Sequence, residues 1–311
     1  MFEEKSTFFL YALSPIHMGA DTSLGIIDNP IQRERHTGHP MIAGSGLKGA
    51  LRHHASSARF DDFSIESIFG PETSAAEHAG AASFSDAQVV LFPVRSLRET
   101  FVYVTCPTAL ERLRRMLFFS GMEEFEEDWD IPFVSDEHAV VLNDDILVDS
   151  HLVLETYRFK KAKGNGSENL LKINEWLGEN AIPAKSGMDY FKEKVKDHTV
   201  LLPDDKFNYF VKNSTIVEPH VRIEDSTGTA KDGGLFYVES CPPETILASM
   251  AMLSRDRRKN NGEGSTAKDL LRQLRSAFDG KFIQVGGLAS TGRGQVLLSF
   301  AKGSKREGER Q

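Results

Sequence analysis

The apolar positions of the chain fall into runs with different periods. Residues 6–13, Ser-Thr-Phe-Phe-Leu-Tyr-Ala-Leu, are almost continuously apolar and stop at Ser14-Pro15, which predicts a buried strand. Val89–Val94 and Phe101–Thr105 predict two more strands. Between the first strand and these two, Leu47, Ala50, Leu51 and Ala55 recur at helical spacing, which predicts a helix over about 45–57 with Gly44 or Ser45 near its cap. Thr108-Ala109-Leu110-Glu111 reads as a capping box opening a helix that runs to Gly121. The order strand, helix, strand, strand, helix predicts an α+β fold with a ferredoxin-like core, the split βαβ plan also used by RNA recognition motifs.

Further along, Leu270, Leu271, Leu274 and Phe278 stripe a helix over Thr266–Phe278 that Gly280 should stop. Phe282–Val285 and Gln295–Phe300 are two strands around the glycine-rich run Gly286–Gly294, which leaves room for a second, duplicated ferredoxin-like half. His220–Ile223 and Leu235–Glu239 flank Ser226-Thr227-Gly228 and Gly233-Gly234 and predict a long β-hairpin able to project from the body. Residues 123–212 are more polar and read as an insertion, with Lys160–Gly166 as an exposed loop. We therefore expect one domain over 1–311. Its parts are an N-terminal half (1–122), the insertion (123–212), the hairpin (213–240), a C-terminal half (241–301) and a frayed tail (302–311).

Composition narrows the class. With 311 residues, 40% apolar and 26% charged, the chain can bury a large core unaided. Cys106 and Cys241 stand far apart, in no disulfide or zinc pattern, which fits a reducing cytoplasm. The sequence shows neither a signal-peptide plan nor an apolar run of about 20 residues, so a soluble cytoplasmic protein is expected. The net charge of −8 argues against a polyanion partner until its distribution is considered. Acid is concentrated at Glu123–Asp130, whereas Arg33, Arg35, Lys48, Arg52 and Arg59 meet only Glu34. One face can be basic on an acidic body.

The candidate chemistry lies in that basic stretch and in the late glycine run. Glycines and prolines from Gly19 to Gly46 mark a long irregular segment, and such loops are usually functional. Lys48 in a first helical turn faces the positive end of the macrodipole, so an anion at Ser45, Gly46 and Lys48 is expected, with Arg52 one turn on. Gly44-Ser45-Gly46-Leu47-Lys48-Gly49 is not a nucleotide phosphate loop, because that motif needs Gly-Lys followed by Ser or Thr. A solvated basic face is the plainer alternative. Gly286 and Gly287 permit close backbone approach and Arg293 offers a forked donor to phosphate, although a simple tight connection fits them equally well. His36, His39, His53 and His54 lack the partners of a metal site and read as surface or packing residues. Asp28 and His17 share the glycine-rich segment; an acid with an imidazole can assist attack by a ribose 2′-hydroxyl, and a turn-capping aspartate is the bland reading.

Taken in order, Leu13-Ser14-Pro15-Ile16-His17-Met18-Gly19, Asp28-Asn29-Pro30-Ile31-Gln32-Arg33-Glu34-Arg35-His36-Thr37-Gly38-His39-Pro40 and Gly44–Arg52 resemble the RAMP superfamily. More narrowly they are similar to the repeating, Cas-seven-like backbone subunit of the type III-B CRISPR Cmr effector complex. Arg222–Phe236 and the late glycine loop extend the likeness to both ends of the chain, while residues 123–212 do not align. The resemblance implies copies stacked in a filament along guide RNA beside other Cmr subunits. It also implies a hairpin thumb, around Val217–Glu239, that displaces nucleotides of the guide–target duplex at regular intervals.

It further implies cleavage of target RNA with a divalent metal, magnesium being expected. Asp28 is implied as the required carboxylate and a metal ligand, His17 as a neighbour that orients ribose or phosphate, and Lys48 and Arg52 as the guide-backbone contacts. Tyr237 and Glu239 are implied as support for the cleavage site. Two rival readings stand beside it: a guide-binding subunit that cuts nothing, which keeps the basic helix and the glycine loop without needing Asp28, and a stand-alone nuclease of the same superfamily that processes precursor RNA.

Overall fold

The computed structural model of the protein describes residues 2–20, 25–58, 63–72, 78–122, 129–164, 166–258 and 264–302. Arg59, the acidic run 123–128 and the tail after Lys302 lie outside the described residues.

The second half of β1 (Glu4–Ala12), Phe8–Ala12, can be continuously apolar because helices cover both of its faces. Phe8, Leu10 and Ala12 point into one core cluster with Leu47, Leu51 and Ala55 of α1 (Gly44–Ala58) and with Leu270, Leu274 and Phe278 of the helix Ala267–Phe278. Phe9 and Tyr11 point the other way, against Leu110, Leu113 and Leu117 of α3 (Pro107–Phe119) and Leu170, Ile173 and Leu177 of the helix Gly166–Asn180. The intervening short helix is α2 (Ile65–Phe69).

The described residues place β1 inside a nine-stranded sheet. Its neighbours are β13 (Ile246–Leu253) and β15 (Gln295–Phe300), both antiparallel to it. β4 (Ala87–Arg95) lies beyond β13, and β5 (Phe101–Thr105) beyond β4. β14 (Phe282–Gln284) closes the other edge, and the short strands β2 (Met41–Ile42) and β3 (Ala82–Phe84) pair with β4 and β13. The strands β15-β1-β13-β4, with α1 and the helix Ala267–Phe278 on one face, form a single ferredoxin-like unit built from both ends of the chain.

This corrects the assignment of one such unit to residues 1–122 and a duplicate near the C-terminus. The third strand of the unit is β13, not Phe101–Thr105, and its second helix is Ala267–Phe278, not α3. Local periodicity identifies strands but not which of them pair across about 150 intervening residues. The capping box fails for a related reason: the Thr108 amide and hydroxyl both bond to Asp204, at 3.0 and 2.9 Å, while Cys106 caps α3 through Sγ.

The insertion has its own four-stranded sheet, in the order β6 (His138–Ala139), β9 (Tyr157–Lys161), β8 (His151–Leu154), β7 (Leu147–Val148). Its last strand, β10 (Thr199–Leu201), extends the main sheet parallel to β5. The loop expected over 160–166 is shorter than that, because Lys160 and Lys161 lie in β9 and Gly166 begins a helix. The hairpin is present as β11 (Ile216–Ile223) and β12 (Ala230–Ser240), a two-stranded ribbon. Val217, Pro219 and Val221 oppose Glu239, Tyr237 and Leu235, so one face carries exposed Val217, Val221, Leu235 and Tyr237.

Candidate functional site

A two-stranded ribbon leaves one edge of each strand unpaired. Here the inner part of the free edge of β12 is closed by the two sequence motifs near the N-terminus. Ile16 and Cys241 exchange both backbone hydrogen bonds, the Asn29 amide donates to Tyr237 O, and the Glu239 amide donates to Asn29 O. The hairpin base therefore cannot move without moving residues 16–17 and 28–31.

Asp28 and His17 are both oriented by that edge. The Tyr237 amide donates to Asp28 Oδ2 at 2.7 Å, and the carboxylate is only half-buried. His17 Nδ1 lies 2.7 Å from Glu239 O. A carbonyl can only accept, so Nδ1 carries the proton and a neutral ring presents Nε2 as an acceptor. A side chain at Gly19 would crowd that nitrogen, its Cβ lying 3.0 Å from Nε2. Tyr237 and Glu239 are two residues apart on one strand, so the carboxylate and the imidazole are anchored about 7 Å apart along it.

Beneath them sits the buried Glu239 carboxylate. It accepts from the Ile31 amide at 3.0 Å, the Thr215 hydroxyl at 2.8 Å and the Arg33 guanidinium. Arg33 also donates to Gly38 O and Val211 O, both at 2.9 Å. Arg112 forms a forked pair with Glu34, and Thr37 donates to the same carboxylate. Burial alone would raise the Glu34 carboxyl, but the bonds from Arg112 and Thr37 hold it below the usual range. Arg33 thus contributes to internal structure rather than to the basic face expected of 33–59. His39 is a packing residue, edge-on to Phe207 with centroids 5.1 Å apart, and burial drives its pKa down to about 4.

The late glycine loop docks on the same edge. Gly287 N donates to His17 O at 2.9 Å and Gly294 N to Pro15 O at 2.8 Å. Gly286 has φ +79°, and a Cβ there would fall 2.5 Å from His17 O, so this glycine is required by a close approach. Arg293 is paired with Glu218 of β11, which ties the loop to the hairpin and commits the guanidinium to an internal carboxylate. His17, Asp28, Tyr237, Glu239, Gly286, Gly287 and Arg293 therefore gather at one place.

Lys48, Arg52, Ser45 and Gly46 form a second region. Gln32 joins the two regions, donating to Gly19 O at 3.0 Å and accepting from Ala43 N at 2.9 Å, just before α1. The Gly44 amide is taken by Asp86 Oδ1 at 2.8 Å, so a protein carboxylate already occupies one of the helix-end donors. Ser45 and Gly46 remain exposed. Lys48 donates to Ala82 O at 2.9 Å and Arg52 to Gly70 O at 2.7 Å. Gly44 is needed internally, since a Cβ would meet Phe84 O at 2.2 Å; Gly46 and Gly49 have nothing within 4 Å.

Among the described residues no three His, Cys, Asp or Glu side chains gather as a metal-binding group. A magnesium ion bound through one carboxylate, with RNA oxygens and water completing its shell, needs no such cage. Asp28 is compatible with that minimal arrangement.

The sequence model of the RAMP superfamily matches residues 9–297. The chain belongs to the RAMP superfamily. It is 36% identical over 295 residues to the CRISPR system Cmr endoribonuclease Cmr4 of Pyrococcus furiosus, covering 94% of each chain. The structure of oligomeric Cmr4 from that organism matches with TM-score 0.73 at 30% identity, covering 97% of this chain and 99% of the other. A chain of the type III-B Cmr-beta complex bound to cognate target RNA has the same fold, with TM-score 0.73, 22% identity, and 96% and 98% covered.

The resemblance read from the motifs and the match to the family thus agree. What the sequence did not signal is the clamp beneath this RAMP protein's motif: Arg33 and Glu239 are 206 residues apart, and each looks like an ordinary surface charge in isolation.

Proposed function

We infer that the protein is the backbone subunit of a type III-B CRISPR RNA-guided effector complex and an RNA endonuclease acting on target RNA. Its partners are guide RNA, complementary target RNA, further copies of itself and other Cmr subunits. We place it in the cytoplasm; no helix among the described residues is long and apolar enough to cross a membrane. The observation that carries the reading is the Asp28 carboxylate, held by the Tyr237 amide on the edge of the hairpin, within a chain similar throughout to a Cmr endoribonuclease.

The hairpin's exposed apolar face, Val217, Val221, Leu235 and Tyr237, provides a wedge against unstacked bases. A displaced nucleotide can relax into the in-line geometry that a stacked helix forbids, so its 2′-hydroxyl gives up its proton and attacks the adjacent phosphorus while the P–O5′ bond breaks, leaving a 2′,3′-cyclic phosphate and a 5′-oxygen that takes a proton from water. Asp28 supplies negative charge at that point, as acceptor of the hydroxyl proton or as protein ligand of a divalent ion, magnesium in this reading. When bound, that ion would neutralise charge developing on the phosphate. His17, with Nε2 as acceptor, orients the ribose. Tyr237 and Glu239 act as positioning residues, Gly286 and Gly287 shape the floor, and Ser45, Gly46, Lys48 and Arg52 hold the guide backbone.

Asp28→Asn tests this directly, because an asparagine oxygen can still accept from the Tyr237 amide. Assembly and guide binding should persist while target cleavage falls at least about 100-fold, the usual scale for a lost proton-transfer group. Wild-type cutting by the variant complex would remove Asp28 from the mechanism and leave a guide-binding subunit that cuts nothing.

A further inference from the structure

The loop after β13 carries a cation that the reading above does not use. Gly70 and Gly80 are in backbone contact, since a Cβ on Gly80 would lie 2.6 Å from Gly70 N. The carbonyls that hold Arg52 and Lys48, Gly70 O and Ala82 O, therefore belong to one knot of chain. The loop after β13 is tied into the same knot, because Ser254 donates its amide to Ala81 O at 3.1 Å. Arg257 Nε in turn donates to Ser254 Oγ at 3.0 Å.

The shape of this loop is fixed by Asp256, whose side chain is fully buried. It accepts from the Arg258 amide and guanidinium and from the Ser67 hydroxyl. Arg258 is thereby neutralised, and the adjacent charge left over is that of exposed Arg257. Burial first, then the nearby charges of Arg52 and Arg257, hold the Lys48 ammonium below the usual lysine range. Among the described residues no carboxylate pairs with Lys48, Arg52 or Arg257. Three cations held close together with no counter-charge among the described residues, on a protein of net charge −8, repel one another until an anion joins them.

We propose that Arg257 completes a three-cation cradle with Lys48 and Arg52, and that the cradle takes phosphates of the guide strand's sugar-phosphate backbone. The proposal rests on the reading that α1 holds guide RNA. It assigns a role to a loop far along the chain from the motif that carries that reading.

The test is the salt dependence of binding between the full chain and a single-stranded RNA of guide length. Each phosphate contact contributes about 0.7 to the slope of log K against log salt. Arg257→Gln should lower the slope by about 0.7 and weaken binding several-fold, and Arg257→Lys should restore most of the slope. Arg255 is the control: it is an exposed cation on the same loop, paired with Glu3, and Arg255→Gln should leave the slope unchanged. An equal loss from Arg255→Gln would reduce the effect to diffuse charge and overturn the cradle. If Lys48→Ala lowers the slope and Arg257→Gln does not, the proposal falls while the α1 reading stands. If neither lowers it, both fall.

Discussion

The hairpin base and the outer face of α1 both contain arginines or lysines, yet they use them in opposite ways. At the hairpin base three arginines meet protein carboxylates: Arg33 with Glu239, Arg112 with Glu34, Arg293 with Glu218. On α1, the partners of Lys48 and Arg52 among the described residues are carbonyl oxygens, which orient a charge without cancelling it. The first arrangement makes a rigid frame in which Asp28 and His17 are aimed by backbone groups of β12. The second leaves net positive charge for something outside the protein. Whole-chain charge predicts neither, because internal pairing decides which charges reach a partner.

The sharpest way to break this contrast is to remove one member of a buried pair. Arg33→Ala would leave the Glu239 carboxylate, 4% exposed, without its cation. The expected loss is about 3 kcal/mol of stability, as for other broken buried pairs, with target cleavage falling because the Asp28 segment loses its anchor. Urea unfolding reads the first effect and a cleavage assay the second. Replacing both partners, Arg33→Met with Glu239→Leu, should recover most of the stability but not the cleavage. Recovery of both would make the pair dispensable for positioning.

Acid should weaken the same frame. His39 stays neutral in the folded protein down to about pH 4, because burial disfavours its charge, whereas the unfolded ring protonates near 6.5. Between those values the unfolded chain binds the extra proton, so stability falls as pH drops through the window. Glu34, with its carboxyl held low, loses stability in the same direction at still lower pH. We expect a loss of about 2 kcal/mol from pH 7 to pH 4. His39→Phe should remove most of this dependence, and an unchanged pH profile in that variant would assign the acid sensitivity to another group.

On α1 the expected effect is on binding rather than stability. Lys48→Ala should cost about 1 kcal/mol of guide affinity, roughly fivefold, and flatten the salt dependence, with little change in unfolding. A fall in stability as large as that of Arg33→Ala would erase the distinction between the two regions.

Much of this was legible in the sequence, and the gaps have physical causes. Phe101–Thr105 and Gln295–Phe300 coincide with their strands, and the periodicity over 45–57 lies within α1, because burial imposes a period that local sequence displays. The pairing of β1 with β13 and β15 was not legible, since nothing local in Phe8-Phe9-Leu10 names a partner strand near residue 248 or 298. Within the site, Asp28 and His17 stood out as residue types in a glycine-rich motif. Their orientation by Tyr237 and Glu239 depends on a strand edge that exists only after the chain ends meet. The basic tally over 33–59 misled for Arg33 because a count of charges does not reveal a buried carboxylate 206 residues away.

The smallest expected effect discriminates most finely between a solvated helix face and one that receives a ligand. Gly46 lies in the exposed first turns of α1, with no positive φ and, beyond the helix's own backbone and its chain neighbours, nothing within 4 Å of a Cβ placed on it. A glycine there costs roughly 0.5–1 kcal/mol relative to alanine, and nothing inside the protein requires it. Gly46→Ala should therefore raise stability by about that amount, in contrast to Gly44→Ala, whose Cβ would collide with Phe84 O. If a phosphate backbone approaches the helix at this point, the added methyl should also weaken guide binding. Higher stability coupled to lower affinity in one variant is the signature of a surface kept bare for a ligand. Higher stability with unchanged affinity would place the RNA elsewhere on the face.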